Sequence, residues 1–438
     1  MSLRGILLLA LFVPSLPVCF FRPFYGILLW TVLAFLNPQW YTWGAATDLP
    51  WAMVVAIPTL AGFLIFDRGW RRFRSREFVL ICILWTWFTL TSLISANTPL
   101  FAHHAHDTWY RWQFVSKVLL MTVVMIALIQ DFKRLRIFVL VIAGCFGLLV
   151  LKALPFMVAT GGEFRLYGPP NSMIADNNDF GLALNMTLPF FFFLAKVESN
   201  RWAKRLFGFL FLITIPAIFF TYSRGAVVGL VVVSLLMLLQ AKQRLALLPA
   251  IVFGLGIAFF FTPESWQTRM DPDRPGALDA SAQSRLNAWR FCWNLASDSP
   301  IAGGGFETFT PALFDVYAPN VRDVHGPHSI YFGVLAEHGF VGLFLYLGLV
   351  ASCFRAARRI VKQARIDGDY VAVHYANMFR FSLVGFLTSG AFLGRAYFDY
   401  FFTIVACIAA LERIYLDRRQ AESAPVPEEP AMIVEAAL

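Results

Sequence analysis

The chain has 438 residues, of which 58% are hydrophobic and 14% charged, with a formal net charge of +9. A soluble globular protein carries roughly 45–50% apolar and about 25% charged residues, so this composition excludes an ordinary soluble domain. Six cysteines stand singly at Cys19, Cys82, Cys145, Cys292, Cys353 and Cys407, a spacing that offers neither a disulfide framework nor a metal-type pair.

Taken in chain order, the apolar residues fall in runs that approach the roughly 20 residues a bilayer crossing needs. The first apolar segment, 5–20, is interrupted by Pro14 and Pro17 and followed by no small-residue cleavage site, so it reads as re-entrant rather than as a signal peptide. Spans are then expected at 24–37, 50–66, 77–95, 113–130, 134–159, 179–195, 206–222, 225–240, 245–262, 328–350, 376–394 and 397–412. The expected fold class is thus an all-α polytopic membrane protein of about 12 helices. The alternative, in which 5–20 also crosses, moves the N-terminus outside.

Orientation follows from Lys and Arg in the loops. One alternate set carries DRGWRRFRSRE (67–77), DFKRLR (131–136), RWAKR (201–205), AKQR (241–244), RAARRIVKQAR (355–365) and LDRRQ (416–420). In the opposite set, 38–49 has no Lys or Arg, while 96–112, 160–178 and 395–396 hold Arg111, Arg165 and Arg395 singly. The basic set is read as cytoplasmic. The positive charge is a topology signal, which argues against nucleic acid as a partner and leaves membrane lipids.

Four regions result: a transmembrane bundle at 1–262, an external loop domain at 263–327, further transmembrane helices at 328–415, and a cytoplasmic tail at 416–438 whose Pro/Glu-rich end reads as disordered. Within the loop, SAQSRLNAWRFCWNLASDSP (281–300) reads as an amphipathic helix with an apolar face of Leu286, Trp289, Cys292, Trp293 and Leu295. IAGGGFETF (301–309) reads as a glycine-rich turn that lacks the Lys-Ser/Thr of a nucleotide-binding loop.

Charged and titratable residues near the membrane plane are costly, so they are functional candidates by default. Arg224 lies in TYSRGAVVGL, between two spans with almost no loop, and is read either as snorkelling to headgroups or as an anion ligand. His328 follows His325, Gly326 and Pro327 at the start of a span, either capping that helix or taking a proton from a hydroxyl. The helix start adds free N–H groups, a favourable place for phosphate. Arg285, Arg290 and Arg322 share the loop, so several cations converge outside, as an anionic leaving group such as pyrophosphate would need.

Asp176, Asn177, Asn178 and Asp179 run into a span and are candidate sugar contacts beyond simple capping, and Lys117 is a candidate phosphate contact. HHAHD (103–107) has no matching ligand set, so no metal and no cofactor are expected. Glu337 lies well over two turns from His328 and reads as structural. PFFFFL (189–194) is a candidate face for a polyprenyl chain.

At these residues the chain resembles the O-antigen ligase and polymerase superfamily of bacterial envelope enzymes. The family's mark is His, then Asn, Ser or Gln, nine residues, Gly, two residues and a small residue. Here His328 and Ser329 are followed by Ile330 to His338, then Gly339, Phe340, Val341 and Gly342. TYSRGA (221–226) resembles the family's arginine-bearing external turn, and SRLNAWRFCWNLASDSPIAGGGFETF its loop pattern, with Arg285 the matching arginine and Arg290 a second. FRPFYGILLWTVLAFLNPQW and YGPPNSMIADNNDFGLAL are further similar to the exosortase-associated O-glycosylation ligases.

The resemblance implies a GT-C-like architecture in the bacterial inner membrane with its active site facing the periplasm. It implies metal-independent, inverting transfer of a glycan from undecaprenyl pyrophosphate to a sugar hydroxyl of lipid A–core. His328 and Arg224 would be the catalytic residues, with Arg224, Arg285, Arg290 and His325 around the pyrophosphate. A polymerase or a protein O-oligosaccharyltransferase using the same donor is the alternative, and a membrane transporter the more distant one.

Overall fold

The computed structural model describes residues 3–67, 73, 75–240 and 277–423. The described residues form helices and connecting turns. Seven helical segments are long and apolar enough to cross a membrane: Leu3–Phe21, Arg76–Asn97, Ala102–Leu128, Phe132–Ala159, Asn177–Val197, Arg201–Phe220 and Ile330–Ile366. Shorter apolar helices stand at Pro23–Leu36, Trp51–Phe66 and Arg224–Leu239. This is a multi-pass membrane protein. The expected span at 245–262 and the end of the tail lie outside the described residues.

The helices begin where local chemistry lets them. Ser75 accepts from the Phe78 N–H, Asp131 from Arg134, Asp176 from Asn178 and Asn200 from Trp202, each filling one of the donors that a helix start leaves open. Two adjoining helices, Leu3–Phe12 and Ser15–Phe21, share the first apolar segment and part at Val13–Pro14.

Asn177–Val197 is the central column, packed by Arg201–Phe220, Arg224–Gln240 and Tyr370–Gly390. Its FFFF run is therefore inside: Phe190 and Phe191 are fully buried and Phe192 and Phe193 nearly so, against Phe379, Phe207, Phe211 and Phe381. The expectation that 189–194 presents a face to a polyprenyl chain is corrected by this burial. Four aromatic rings in sequence fill the gap where four helices meet.

Two further boundaries differ from the sequence reading. Helix Tyr370–Gly390 stops at Gly390, and 391–398 is a loop before helix Asp399–Ser423. Helix Ile330–Ile366 runs through the basic RAARRIVKQAR, beyond the expected end at 350.

The segment between helices Arg224–Gln240 and Ile330–Ile366 contributes most of a second small core, of Phe101, Phe291, Cys292, Leu295, Leu313, Phe314, Tyr317 and Ala336. Phe291 stacks on Phe314 with ring centroids 4.2 Å apart. The buried stripe of helix Ala277–Asp298 is Ala288, Phe291, Cys292, Leu295 and Ala296, at helical spacing. Leu286 and Trp293, assigned from the sequence to that face, are 45% and 54% exposed. The apolar stripe is rotated because Phe291 takes the centre, which leaves Leu286 and Trp293 facing outward.

Candidate active site

The long helix Ile330–Ile366 is broken once, at Gly339, with φ 67° and ψ −174°. That region is open essentially to glycine alone. A Cβ there would also stand 2.4 Å from the Ile301 carbonyl oxygen. The break frees backbone groups, and the glycine-rich turn takes them up. Gly304 N–H donates to the Ala336 carbonyl at 2.8 Å and Gly305 N–H to Glu337 at 2.9 Å, while Phe340 N–H donates to Pro300 at 2.8 Å. The Trp87 indole donates to the His338 carbonyl at 3.2 Å. The GGG sequence is thus a docking turn for a broken helix, and these backbone bonds hold the break in place.

Ahead of the break, Ser329, Gly333 and Glu337 recur every four residues and so line one helix face. That face forms one wall of a cavity of about 380 Å³, also lined by His328, Arg111, Asp176, Asn178, Asp179, Glu307, Arg395 and Tyr397. Glu337 accepts from the Tyr397 hydroxyl at 2.5 Å and the Glu307 N–H at 3.0 Å. Arg111 stands 3.5 Å from Glu307 and lies over the Phe114 ring. Asp179 pairs with Arg395 at 2.5 Å. The cavity is therefore lined by both acceptors and donors, groups of the kind that bind hydroxyl-rich ligands.

His328 stands at the entrance to this wall with φ 44°, left-handed backbone that a non-glycine residue rarely adopts. Burial, then the charges of Arg285 and His325, push its imidazole below the ordinary histidine value. It is consequently neutral at pH 7 and able to accept a proton. Ser329, at the helix N-cap, makes no side-chain capping bond, so first-turn N–H groups face this entrance uncapped.

Arg224 and Arg285 line a second cavity of about 350 Å³, with Gly225, Val228, Leu286, Trp289 and Phe392. Burial, then the Arg224 charge, lowers the pKa of Arg285. Among the described residues neither arginine has a carboxylate within ion-pair reach. Two such cations held together in an apolar setting need an anion.

The cavities are neighbours. The Trp289 indole, in the second, donates at 2.8 Å to the carbonyl of Pro327, in the first. Phe392 lines one and Leu393 to Tyr397 the other, so the 391–398 loop is their shared wall.

The turn bearing Arg224 is fixed from the central helix. Asn177 donates to the Thr221 carbonyl at 2.6 Å, and Asn185 to Ala226 at 2.7 Å. Tyr222, at φ 58°, donates its hydroxyl to the Gly162 carbonyl at 2.7 Å.

Of the residues singled out from the sequence, His328, Asp176, Asn178 and Asp179 line the first cavity, and Arg224 and Arg285 the second. His325 pairs with Asp323 at 3.2 Å, its ring 6.0 Å from that of His328. Asn177 is buried against Thr221; Lys117 and Arg290 are exposed, and none of the three lines either cavity. The histidines of HHAHD go to separate partners: His103 to Thr310, His104 to the Gly304 carbonyl and His106 to Asp107. His103 and His104 thereby tie this stretch to residues 304–310.

Arg111, Glu307, Glu337, Arg395 and Tyr397 were not chosen from the sequence. A signal existed for two of them. The loops opposite the basic set almost lack Lys and Arg, so Arg111 and Arg395 stand out there as cations that the charge asymmetry does not call for.

No curated protein matches the chain. Residues 3–199, which hold Arg111, Asp176 and Asp179, match a family of unknown function. Residues 209–347, which hold Arg224, Arg285, His328 and Glu337, match the O-Antigen ligase family model.

Proposed function

We propose that the protein is an O-antigen ligase: it transfers a glycan from undecaprenyl pyrophosphate to a sugar hydroxyl of lipid A–core, at the periplasmic face of the inner membrane. The observation that carries this reading is the pair of adjoining cavities, one cationic with apolar walls and one rich in hydroxyl-binding groups behind His328. The donor pyrophosphate sits between Arg224 and Arg285, its lipid against Val228, Leu286 and Phe392. Arginine forks bind phosphate oxygens two at a time, which supplies the charge a metal would otherwise bring.

The acceptor sugar lies along Gly333 and Glu337. Its hydroxyl oxygen attacks the anomeric carbon as the bond to the pyrophosphate oxygen breaks, and the hydroxyl proton passes to His328. The electron pair of the broken bond leaves on pyrophosphate, where the two arginines offset the developing charge. One displacement at one carbon gives inversion.

The polarity of the loops supports a topology of about twelve spans, with 263–327 outside as a loop domain between the bundle 1–262 and the helices of 328–415. The tail 416–438 then lies in the cytoplasm. The charged side chains around His328 and Arg224 lie near helix starts rather than at mid-helix depth, which favours transfer over transport, whose sites lie near the membrane midplane.

The test is transfer from purified undecaprenyl-pyrophosphate glycan to lipid A–core in the presence of EDTA. The proposal expects product. Lengthened lipid-linked glycan or modified protein instead would assign the same donor chemistry to a polymerase or a protein transferase. Vesicle transport without any transfer would overturn it.

A further inference from the structure

At the opposite end of the bundle a cavity of about 600 Å³ is lined by Phe192, Phe193, Lys196, Met237, Arg365, Tyr370, Val373, His374, Asn377 and Phe381. It belongs to the ends and starts of four helices, far along the chain from the groups around His328. Lys196 and Arg365 stand exposed at its rim, and among the described residues neither has a carboxylate within ion-pair reach. Lys196 lies 4.1 Å over the Phe192 ring. His374 shares the cavity wall with Lys196, and burial together with the Lys196 charge disfavours a protonated His374 ring.

Two residues of its lining carry buried polar atoms that have no partner among the described residues. Asn377 is 7% exposed and its Oδ1 accepts no hydrogen bond there; the Nδ1 of His374 is also unpaired. Buried polar atoms in a native fold find partners, so an empty acceptor and an empty ring nitrogen in the walls of one cavity point to a ligand or water that reaches them. Cations at the rim call for an anion. The wall of Phe192, Phe193, Phe381, Met237 and Val373 calls for hydrocarbon.

We propose that this cavity binds an anionic phospholipid whose headgroup carries a hydroxyl, of the phosphatidylglycerol kind. The phosphodiester meets Lys196 and Arg365, the headgroup hydroxyl donates to Asn377, and an acyl chain follows the aromatic wall. A free phosphate ion satisfies the cations and leaves the aromatic wall bare, which is why a lipid is the better occupant. Basic pockets between helix ends at the cytoplasmic surface recognise lipid headgroups in this way. The site is independent of the glycan chemistry and does not rest on it.

The test uses the full-length protein in detergent, with lipid retention read by native mass spectrometry and lipid-induced thermal shift read alongside. Phosphatidylglycerol should be retained and raise the melting temperature, while phosphatidylcholine should do neither. Lys196→Gln and Arg365→Gln, both at exposed positions, should fold as wild type and lower retention by about fivefold each. Asn377→Leu should retain phosphatidylglycerol no better than a diester lipid without a headgroup hydroxyl. Equal retention of phosphatidylcholine, undiminished retention in the double cation variant, or an equal thermal shift from inorganic phosphate alone would each overturn the proposal.

Discussion

His328 occupies left-handed backbone at φ 44°, which costs a non-glycine residue about 1–2 kcal/mol. That cost is met by contacts on every side. Pro327 is fixed by the Trp289 indole, Gly394 packs against the His328 backbone, and Ser329 begins the helix that lines the cavity. Strained residues held by their surroundings gather at functional sites, and the strain here aims an imidazole.

The electrostatics give that ring a defined pH behaviour. Burial and then the Arg285 and His325 charges disfavour the protonated form, so its pKa lies below the ordinary value of about 6.5. A base in this state works at neutral pH and is lost as pH falls through the lowered pKa. The acid limb of kcat/KM should therefore lie below pH 6.5. Arg285→Gln removes a cation that opposes protonation, so the limb should move to higher pH, besides the loss of donor affinity. A limb that does not move would separate Arg285 from His328.

At the scale of elements, the broken helix organises the site. Gly339→Ala places a side chain in a glycine-only region and drives it against the Pro300 and Ile301 carbonyls. A loss of about 1–3 kcal/mol from the backbone alone is expected, and more from the clash, read as a lower melting temperature. Gly333 is a different case. A Cβ there meets only Pro327 Cγ, at 3.8 Å, so Gly333→Ala should fold and retain activity. Gly333→Leu fills the wall between His328 and Glu337 and should abolish transfer with little change in melting temperature. Equal activity in the two variants would mean that the acceptor does not lie there.

The apolar runs made most spans legible, since a helix that must cross hydrocarbon can be built from few residue types. The break at Gly339 was hidden, because glycine is common in membrane helices and the apolar pattern runs through it. Glu337 reads from the sequence as structural; the structure bonds it to Tyr397 and Glu307 and also sets it in the cavity wall behind His328, a placement that distance along the helix does not reveal. Glu307 and Tyr397 reach the site by a left-handed turn and by the 391–398 loop, and neither has a periodicity to reveal it.

For the whole molecule, polarity is the organising fact. The two site cavities lie at one end of the bundle and the cation-rimmed cavity at the other. Five of the six cysteines are buried and Cys82 is partly so, so the native thiols leave a low background for surface labelling. A membrane-impermeant maleimide added from the periplasmic side should label Asn320→Cys and spare Lys204→Cys. The reverse pattern would invert the topology and place the donor cavity in the cytoplasm.

The central claim is that Arg224 holds the donor and His328 acts on the acceptor. It is tested most directly by measuring donor binding and single-turnover transfer in the same preparations of wild type, Arg224→Gln and His328→Ala, each shown to melt as wild type. The account predicts that His328→Ala binds undecaprenyl-pyrophosphate glycan normally and loses about 100-fold or more of its turnover, as removal of a general base does. It predicts that Arg224→Gln loses donor binding, by about tenfold or more, for want of a charged hydrogen bond to phosphate. Full turnover in His328→Ala, or undiminished donor binding in Arg224→Gln, would contradict it.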